Sequence, residues 1–172
     1  MLSFDLRALD AHAIAVDGVL PPDDPVWIES DPRPAAEGIR VTGRLSTAGP
    51  GRYYFSGALD GAVDAECRRC LTDVRAPVED ELHVVFADAD DAEVDDDPDV
   101  YRLDPRSQEL DLRPAIREQW LLSVPAFVEC RADCKGLCPS CGADRNTDAC
   151  KCEPAAVDPR WDALRSLRGE SS

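Results

Sequence analysis

Eight cysteines are the residues of this sequence best suited to chemistry, and they stand in close pairs. Cys138 and Cys141 form a C-x2-C pair followed by a glycine, and Cys150 and Cys152 follow after eight intervening residues. Zinc takes four thiolates in a tetrahedron, and two close pairs on neighbouring turns supply them. The spacing predicts a structural zinc site at Cys138, Cys141, Cys150 and Cys152, with no coordination position left open for catalysis.

The remaining four cysteines favour a second structural zinc site. Cys67 and Cys70 form another C-x2-C pair, and Cys130 and Cys134 are the pair left over. A site made of these four would join a mid-chain hairpin to a distant segment, and closing a long loop is where a metal stabilises most. Two rival arrangements stay open at this point: exchange of ligands with the C-terminal cysteines, or free buried thiols that pack as small apolar groups.

Disulfide and redox chemistry fit these cysteines less well than metal binding. The first twenty residues carry several acids and no signal-peptide pattern, so we expect a reducing cytoplasm. A redox C-x2-C pair needs its nucleophile at a helix N-terminus, whereas Cys67 follows an alternating, strand-like run. His12 and His83 are isolated from each other, and we interpret His83 as an exposed sheet residue rather than a metal ligand.

Alternating apolar residues predict a β-sheet around the first cysteine pair. The alternation covers 39–45, 53–67 and 74–86, which places Cys67 and Cys70 at the tip of a hairpin. Gly57 and Gly61 would mark a bulge or bend in the middle run. Residues 4–7 also alternate, and short apolar runs at 14–16 and 26–28 are interpreted as strands or extended arms.

Helical spacing of apolar residues predicts a helix at about 112–123, with Asp111 as its cap and Pro114 in its first turn. A second amphipathic helix is predicted at 158–168, packed on the core. Between the sheet and the first helix, residues 88–99 hold eight acids in twelve positions. Such a charge run predicts a solvated loop, with a docking surface for a basic partner as the alternative.

These elements predict an α+β fold, with an antiparallel β-sheet or partial barrel, two or three helices and a C-terminal zinc-ribbon-like element. The expected parts are a β-rich core at 1–128, a cysteine-rich zinc-binding element at 129–153 and the C-terminal helix at 158–168. The core would include the hairpin cysteines, the acidic loop and the helix at 112–123. A chain of 172 residues buries enough surface to fold without disulfide bonds.

Charge and composition argue against several classes of function. The chain has 35 acidic and 19 basic residues, so its formal net charge is −16, the wrong sign for a basic nucleic-acid-binding protein. No run approaches the ~18 apolar residues of a membrane helix. No enzyme is expected, because no His, Ser or glycine-rich loop stands beside the clustered acids.

Three stretches, taken in order, resemble the YceD family of bacterial and plastid proteins. They are 64–71 around the first cysteine pair, 109–125 through the predicted helix, and 134–142 with the closing 158–164. The resemblance covers about residues 1–168. It implies a role in the accumulation of 23S ribosomal RNA, and hence in assembly of the large ribosomal subunit, and it implies no catalytic residues.

The charge favours one mechanism within that role. An acidic protein repels RNA phosphates, whereas most ribosomal proteins are basic and complementary fields steer association. We therefore expect the partner to be a ribosomal protein or a large-subunit precursor, with an indirect effect on the RNA. Two alternatives stay open: direct rRNA contact through Arg68 and Arg69 at the hairpin tip, or a zinc-dependent adaptor unrelated to ribosomes. Neither DNA nor a membrane is an expected partner.

Overall fold

The computed structural model describes residues 2–27, 32–88, 100–104 and 106–152. The chain divides into two compact units. The first unit comprises Met1–Ala65 and Asp73–Val128, and the second comprises Glu66–Thr72 and Glu129–Ser172. The predicted acidic loop beyond Asp88 and the predicted helix at 158–168 lie outside the described residues, and the predicted three-part division of the chain stays a prediction.

The described residues contain seven strands and two α-helices, which makes the fold α+β. The strands are β1 (Ser3–Asp5), β2 (Ile14–Leu20), β3 (Ile39–Gly49), β4 (Arg52–Glu66), β5 (Asp73–Asp88), β6 (Val100–Leu103) and β7 (Glu109–Asp111). The helices are α1 (Leu6–Ala11) and α2 (Arg113–Ser123).

The main sheet has five strands in the order β2-β3-β4-β5-β6, and a small antiparallel sheet pairs β1 with β7. Strands β2, β3 and β4 pair antiparallel, as predicted, but β6 runs parallel to β5. The sheet is therefore mixed. A parallel neighbour needs a connection much longer than a hairpin turn, and residues 89–99 lie between these two strands.

Alternate residues of the central strands build the core of the first unit, as the sequence pattern predicted. Along β3, Ile39, Val41 and Leu45 are fully buried, and β4 and β5 continue the same face with Phe55, Leu59, Val63, Val78, Leu82 and Phe86. The period of two places the intervening polar residues on the opposite, solvent-facing side. His83 lies on that side and is exposed, as predicted, with Nδ1 3.0 Å from the Tyr54 hydroxyl.

The bulge expected at Gly57 is absent from the pairing of β3 with β4. Their register is continuous there, and Gly57 lies opposite Gly43. A Cβ on Gly57 would lie 2.6 Å from Cζ of Phe55, and one on Gly43 would lie 3.0 Å from Cε2 of the same ring. The two glycines therefore make room for a buried phenyl ring. The irregularity in this pair occurs near the turn, between Thr47 and Gly49.

Helix α2 coincides closely with the helix predicted at about 112–123 and buries Ala115, Ile116 and Trp120. Its N-cap is Leu112 rather than Asp111. The Asp111 carboxylate instead accepts the backbone N–H of Arg113 at 3.0 Å, one residue earlier than a capping side chain would stand. The Trp120 indole donates to the Pro32 carbonyl at 2.9 Å, which satisfies its buried N–H.

Two N-terminal segments are helical, and one of them, at 26–28, was predicted to be a strand or an extended arm. Residues 6–11 form α1, because the Asp5 carboxylate accepts the N–H of Arg7 at 2.8 Å and starts a helix there. Pro25–Trp27 form a single 3-10 turn, because the Asp24 carboxylate accepts the N–H of Val26 at 2.9 Å. Across the described parts of the chain, no helix is long and apolar enough to cross a membrane.

Candidate metal centres

The eight thiols gather into two groups of four, and both groups lie in the second unit. The first group is Cys67, Cys70, Cys130 and Cys134, and the second group is Cys138, Cys141, Cys150 and Cys152. Within each group, all sulfurs lie within 4.8 Å of one another. The structure thus groups the cysteines as their spacing predicted, without the exchange of ligands left open above. Their role as ligands stays a prediction.

The distances between the sulfurs fit tetrahedral coordination of an ion of the size of zinc. The Cys67 and Cys134 sulfurs are 3.9 Å apart, and those of Cys70 and Cys130 are 3.6 Å apart. In the second group, the Cys138 and Cys150 sulfurs are 3.3 Å apart. A tetrahedron with Zn–S bonds of about 2.3 Å has edges of about 3.8 Å, so only small movements would close either group around zinc.

The loop between β4 and β5 folds as a knuckle around Cys67. The N–H of Cys67 donates to the Thr72 carbonyl at 2.9 Å, and the N–H of Leu71 donates to the Cys67 carbonyl at 2.9 Å. Leu71 has a φ of 60°, in the left-handed region that a leucine rarely adopts. This strained residue lets the chain turn back within the few residues that hold both cysteines.

The second C-x2-C pair repeats the same backbone pattern. The N–H of Cys138 donates to the Ala143 carbonyl, and the N–H of Gly142 donates to the Cys138 carbonyl, both at 2.8 Å. Gly142 has a φ of 73° and takes the place that Leu71 takes in the first knuckle. The two cysteine pairs are therefore two copies of one local structure. The sequence did not predict this likeness, because a left-handed position is normally occupied by glycine and the first knuckle has Leu71 there.

Backbone N–H groups point at the first sulfur of each knuckle and stabilise its thiolate. The pKa of Cys67 is lowered to about 6, chiefly because the N–H of Cys130 donates to its sulfur, while burial acts in the opposite direction. The pKa of Cys138 is also lowered to about 6, by the N–H groups of Cys141 and Ser140. Each group therefore holds a thiolate near neutral pH, which is the form that binds a metal.

One further thiol in each group, Cys130 in the first and Cys152 in the second, resists ionising next to that thiolate. The pKa of Cys130 is raised to about 12 by partial desolvation of its sulfur and by its neighbouring thiols. The pKa of Cys152 is also raised to about 12, by the thiols of Cys141 and Cys150. A divalent cation would displace these protons, because it supplies the positive charge that a second, third and fourth thiolate require.

Asn146 organises the surroundings of the first group. Its amide nitrogen donates to the Cys134 sulfur at 3.5 Å and to the Asp144 carboxylate at 2.7 Å. Its amide oxygen accepts the backbone N–H of Lys135 at 2.9 Å and the guanidinium of Arg131 at 2.8 Å. Burial opposes ionisation of Cys134, but this donor helps to hold the pKa of that thiol below its usual value. Sequence analysis missed Asn146, because a polar residue in a loop carries no signal.

The two groups differ in accessibility. In the first group, Cys67, Cys70 and Cys134 are buried and Cys130 is exposed. In the second group only Cys138 is buried, and Cys141 and Cys152 are exposed. A chelator or an alkylating reagent would therefore reach the second group more easily than the first.

The two hairpin arginines have different surroundings. The guanidinium of Arg68 pairs with the Glu129 carboxylate, with Nη2 at 2.7 Å and Nε at 2.9 Å. The backbone carbonyl of Arg69 accepts the N–H of Leu137 at 2.8 Å, and its side chain is exposed. At the hairpin tip, therefore, Arg68 is paired with a carboxylate and Arg69 is exposed. Arg75, in the following strand β5, pairs with Glu37.

Comparison with known proteins identifies relatives over most of the chain. A family model described as large ribosomal RNA subunit accumulation protein YceD matches residues 55–168. An uncharacterized protein of Mycobacterium tuberculosis is 32% identical over 143 residues, which cover 80% of this chain and 59% of the relative. The chain thus spans less than two thirds of the length of that relative.

Two further relatives come from a plant and from another bacterium. The large ribosomal RNA subunit accumulation protein YCED homolog 1, chloroplastic, of Zea mays is 28% identical over 194 residues, covering 96% of this chain and 63% of that protein. The uncharacterized protein YlbN of Bacillus subtilis is 28% identical over 130 residues, covering 75% of this chain and 73% of the relative. No solved structure matches the chain.

Proposed function

Because the chain belongs to the YceD family, we propose that it is a non-enzymatic cytoplasmic factor that supports accumulation of 23S ribosomal RNA during assembly of the large subunit. In this proposal the principal partner is a basic ribosomal protein, and the effect on the RNA level follows from that binding. The relative from Zea mays carries the matching description in its name. The observation that supports the mechanism is an acidic groove on the first unit.

Negative charge dominates the first unit. Its described residues include ten basic and seventeen acidic side chains. A protein surface with this excess attracts a basic partner and raises the rate at which the two meet. Ribosomal proteins are mostly basic, so such a surface suits them as clients.

The acidic groove lies between β4 and β5 and has a volume of about 560 Å³. Its floor and walls are Ala58, Leu59, Asp60, Glu79, Asp80 and Glu81. The four carboxylates can receive the charged head of an arginine or lysine, and the exposed Ala58 can contact its aliphatic stem. We therefore place the contact with the client here.

Asp80 is the fixed carboxylate of the groove. It accepts hydrogen bonds from the Ser123 hydroxyl and, at 2.7 Å, from the Gln119 amide, both on α2. These bonds lower the pKa of Asp80 below its usual value, the Ser123 bond contributing most. The group therefore stays charged at neutral pH, and its position does not depend on the client.

The two cysteine groups would serve this function as structural zinc sites. Four thiolates fill the coordination of each ion, so neither site would offer a position for a substrate or an activated water. Zinc would then fix the fold of the second unit, whose described part has little other regular structure, and would take no part in a reaction. This assignment supports the proposal that the protein is not an enzyme.

The test is an affinity pulldown of the tagged full chain from growing cells, with and without nuclease. We expect a ribosomal protein that remains bound after nuclease treatment. The variant Glu79→Gln/Glu81→Gln should lose it, because both exposed carboxylates line the groove. The matched control, Asp23→Asn/Asp73→Asn, removes two exposed charges elsewhere on the same unit and should keep it.

The outcomes separate this mechanism from its alternatives. Equal loss in both variants would show that net charge, and not the groove, holds the client. Complete release by nuclease would favour direct RNA binding. A single non-ribosomal protein that requires zinc would favour an adaptor unrelated to ribosomes.

A further inference from the structure

Positive charge is concentrated in the second unit, in contrast to the acidic first unit. The described residues 66–72 and 129–152 include six basic and five acidic side chains. They also include both lysines of the chain, Lys135 and Lys151. The whole chain has an acidic net charge, yet carboxylates do not outnumber cations among the described residues of this unit.

Some of these cations are neutralised by neighbouring carboxylates and others are not. Arg68 pairs with Glu129, and Arg131 lies 3.3 Å from the carboxylate of Asp133. In contrast, the exposed side chains of Arg69, Lys135 and Arg145 form no ion pair with any described residue. These three define what we call the cationic patch.

The backbones of the patch residues meet at Gly136. The N–H of Leu137 donates to the Arg69 carbonyl at 2.8 Å, and the N–H of Arg145 donates to the Gly136 carbonyl at 3.0 Å. Lys135 directly precedes Gly136, which has a φ of 68°. A Cβ on Gly136 would lie only 2.8 Å from the Arg69 carbonyl oxygen. The hairpin residue Arg69 and two residues of the C-terminal segment, Lys135 and Arg145, are thus held near Gly136 by backbone hydrogen bonds.

We propose that the cationic patch, Arg69 with Lys135 and Arg145, contacts the phosphate backbone of ribosomal RNA. The inference rests on the proposed function, which brings the protein close to ribosomal RNA. The surface that it assigns to RNA contains none of the residues of the acidic groove. Phosphates favour lysine and arginine side chains that have no competing carboxylate. Salt screens the repulsion between RNA and those acids that lie farther from it than the Debye length, which is about 8 Å at physiological ionic strength.

Another role for these cations would be to offset the negative charge of zinc thiolates. The two roles make different predictions. Cations that only balance thiolates would change zinc affinity when removed and leave RNA binding unaltered. Cations that contact phosphates would change RNA affinity and its salt dependence, because each contact releases counterions from the RNA.

The experiment measures binding of the zinc-loaded full chain to a labelled single-stranded fragment of 23S rRNA between 50 and 200 mM salt. The patch variant is Arg69→Gln/Lys135→Gln/Arg145→Gln. The matched control is Arg7→Gln/Arg44→Gln/Arg106→Gln, which removes three exposed, unpaired arginines scattered over the first unit. Zinc content of every variant is measured in parallel.

We expect the patch variant to bind at least about tenfold more weakly at 50 mM salt. Its slope of log affinity against log salt should fall by about 2, since each single-strand contact contributes about 0.7. The control should match the wild type. If the triple variant loses zinc, the single change Lys135→Gln should still lower the slope by about 0.7 with zinc retained.

Three results would overturn the proposal: a wild type that does not bind the RNA, a patch variant that binds like the wild type, or equal losses in patch variant and control. None of these depends on the client. If the patch variant still captures a ribosomal protein after nuclease treatment, the proposed function is supported even when the RNA contact is not. Loss of that capture in the groove variant, with RNA affinity unchanged, would show that the two surfaces act separately.

Discussion

Alanine substitutions of Gly136 and Gly142 can be compared to measure the energetic effect of one contact, that of residue 136 with the Arg69 carbonyl. Gly136 and Gly142 have nearly the same backbone conformation, with φ of 68° and 73°. An alanine at either position pays the left-handed penalty, about 1 kcal/mol. A Cβ at Gly142 would meet nothing within 4 Å, whereas one at Gly136 would lie 2.8 Å from the Arg69 carbonyl oxygen.

Gly142→Ala should therefore lower the free energy of unfolding of the second unit by about 1 kcal/mol. Gly136→Ala must also push back a backbone carbonyl that accepts the N–H of Leu137. Weakening that hydrogen bond costs a further 0.5 to 1.5 kcal/mol or so, which gives a total of about 1.5 to 2.5 kcal/mol. The difference between the variants measures the contact, because the conformational penalty cancels.

Urea unfolding of the zinc-loaded chain, followed by hydrogen exchange at the amides of the second unit, measures both values. The Leu137 amide should lose most protection in Gly136→Ala and keep it in Gly142→Ala. Equal destabilisation by the two alanines would contradict the crowding argument. It would mean that the left-handed backbone alone decides the cost at both positions.

Three further predictions concern the cysteine groups and the acidic groove. Chelation followed by alkylation and mass spectrometry should label the second group before the first, because more of its cysteines are exposed; the reverse order would contradict the contrast in burial. Asn146→Ala removes a donor to Cys134 and so raises the pKa of that thiol. Protons then compete better with zinc, and the pH titration of zinc release should shift to higher pH, with a loss of affinity of about tenfold or more; an unchanged midpoint would show that Asn146 only shapes the loop. The pKa of Asp80 is lowered in the folded state, so its contribution to stability is present above the unfolded value of 3.8 and disappears as the pH falls through the folded value. Asp80→Asn should therefore reduce stability at neutral pH and flatten the acid limb of the pH–stability curve, and an acid limb like that of the wild type would refute this assignment.

Sequence reasoning succeeded where the determinants are local and periodic. Alternation located β3, β4 and β5, since a half-buried strand must repeat every two residues. Close pairing of cysteines indicated the two groups, because residues two to four apart can face one ion without help from the rest of the fold. Helix α2 was found from its apolar spacing and from Pro114, a residue that fits the first helical turn.

The elements that sequence reasoning missed depend on single contacts or on distant partners. Helix α1 has six residues, too few for a periodic pattern, and it depends on one capping carboxylate at Asp5. The parallel pairing of β6 with β5 is a tertiary arrangement that no local sequence pattern encodes. The left-handed conformation of the first knuckle was not predicted, because Leu71 stands where a glycine would have indicated it. The grouping of Arg69 with Lys135 and Arg145 is a product of tertiary hydrogen bonds alone.

The two knuckles share a backbone pattern but contribute unequally to the fold. In the first group, facing sulfurs of Cys70 and Cys130 are 60 residues apart in sequence, whereas those of Cys138 and Cys150 in the second are 12 apart. Closing the longer loop restricts the unfolded chain more, by about 1.4 kcal/mol. The first group is also the more buried one, and the cationic patch is anchored on its loops through Arg69 and Lys135. Loss of metal from the first group would therefore separate the hairpin from the C-terminal segment and disperse the patch, while loss from the second would release only its own short loop. If RNA contact depends on zinc, the dependence should follow the first group.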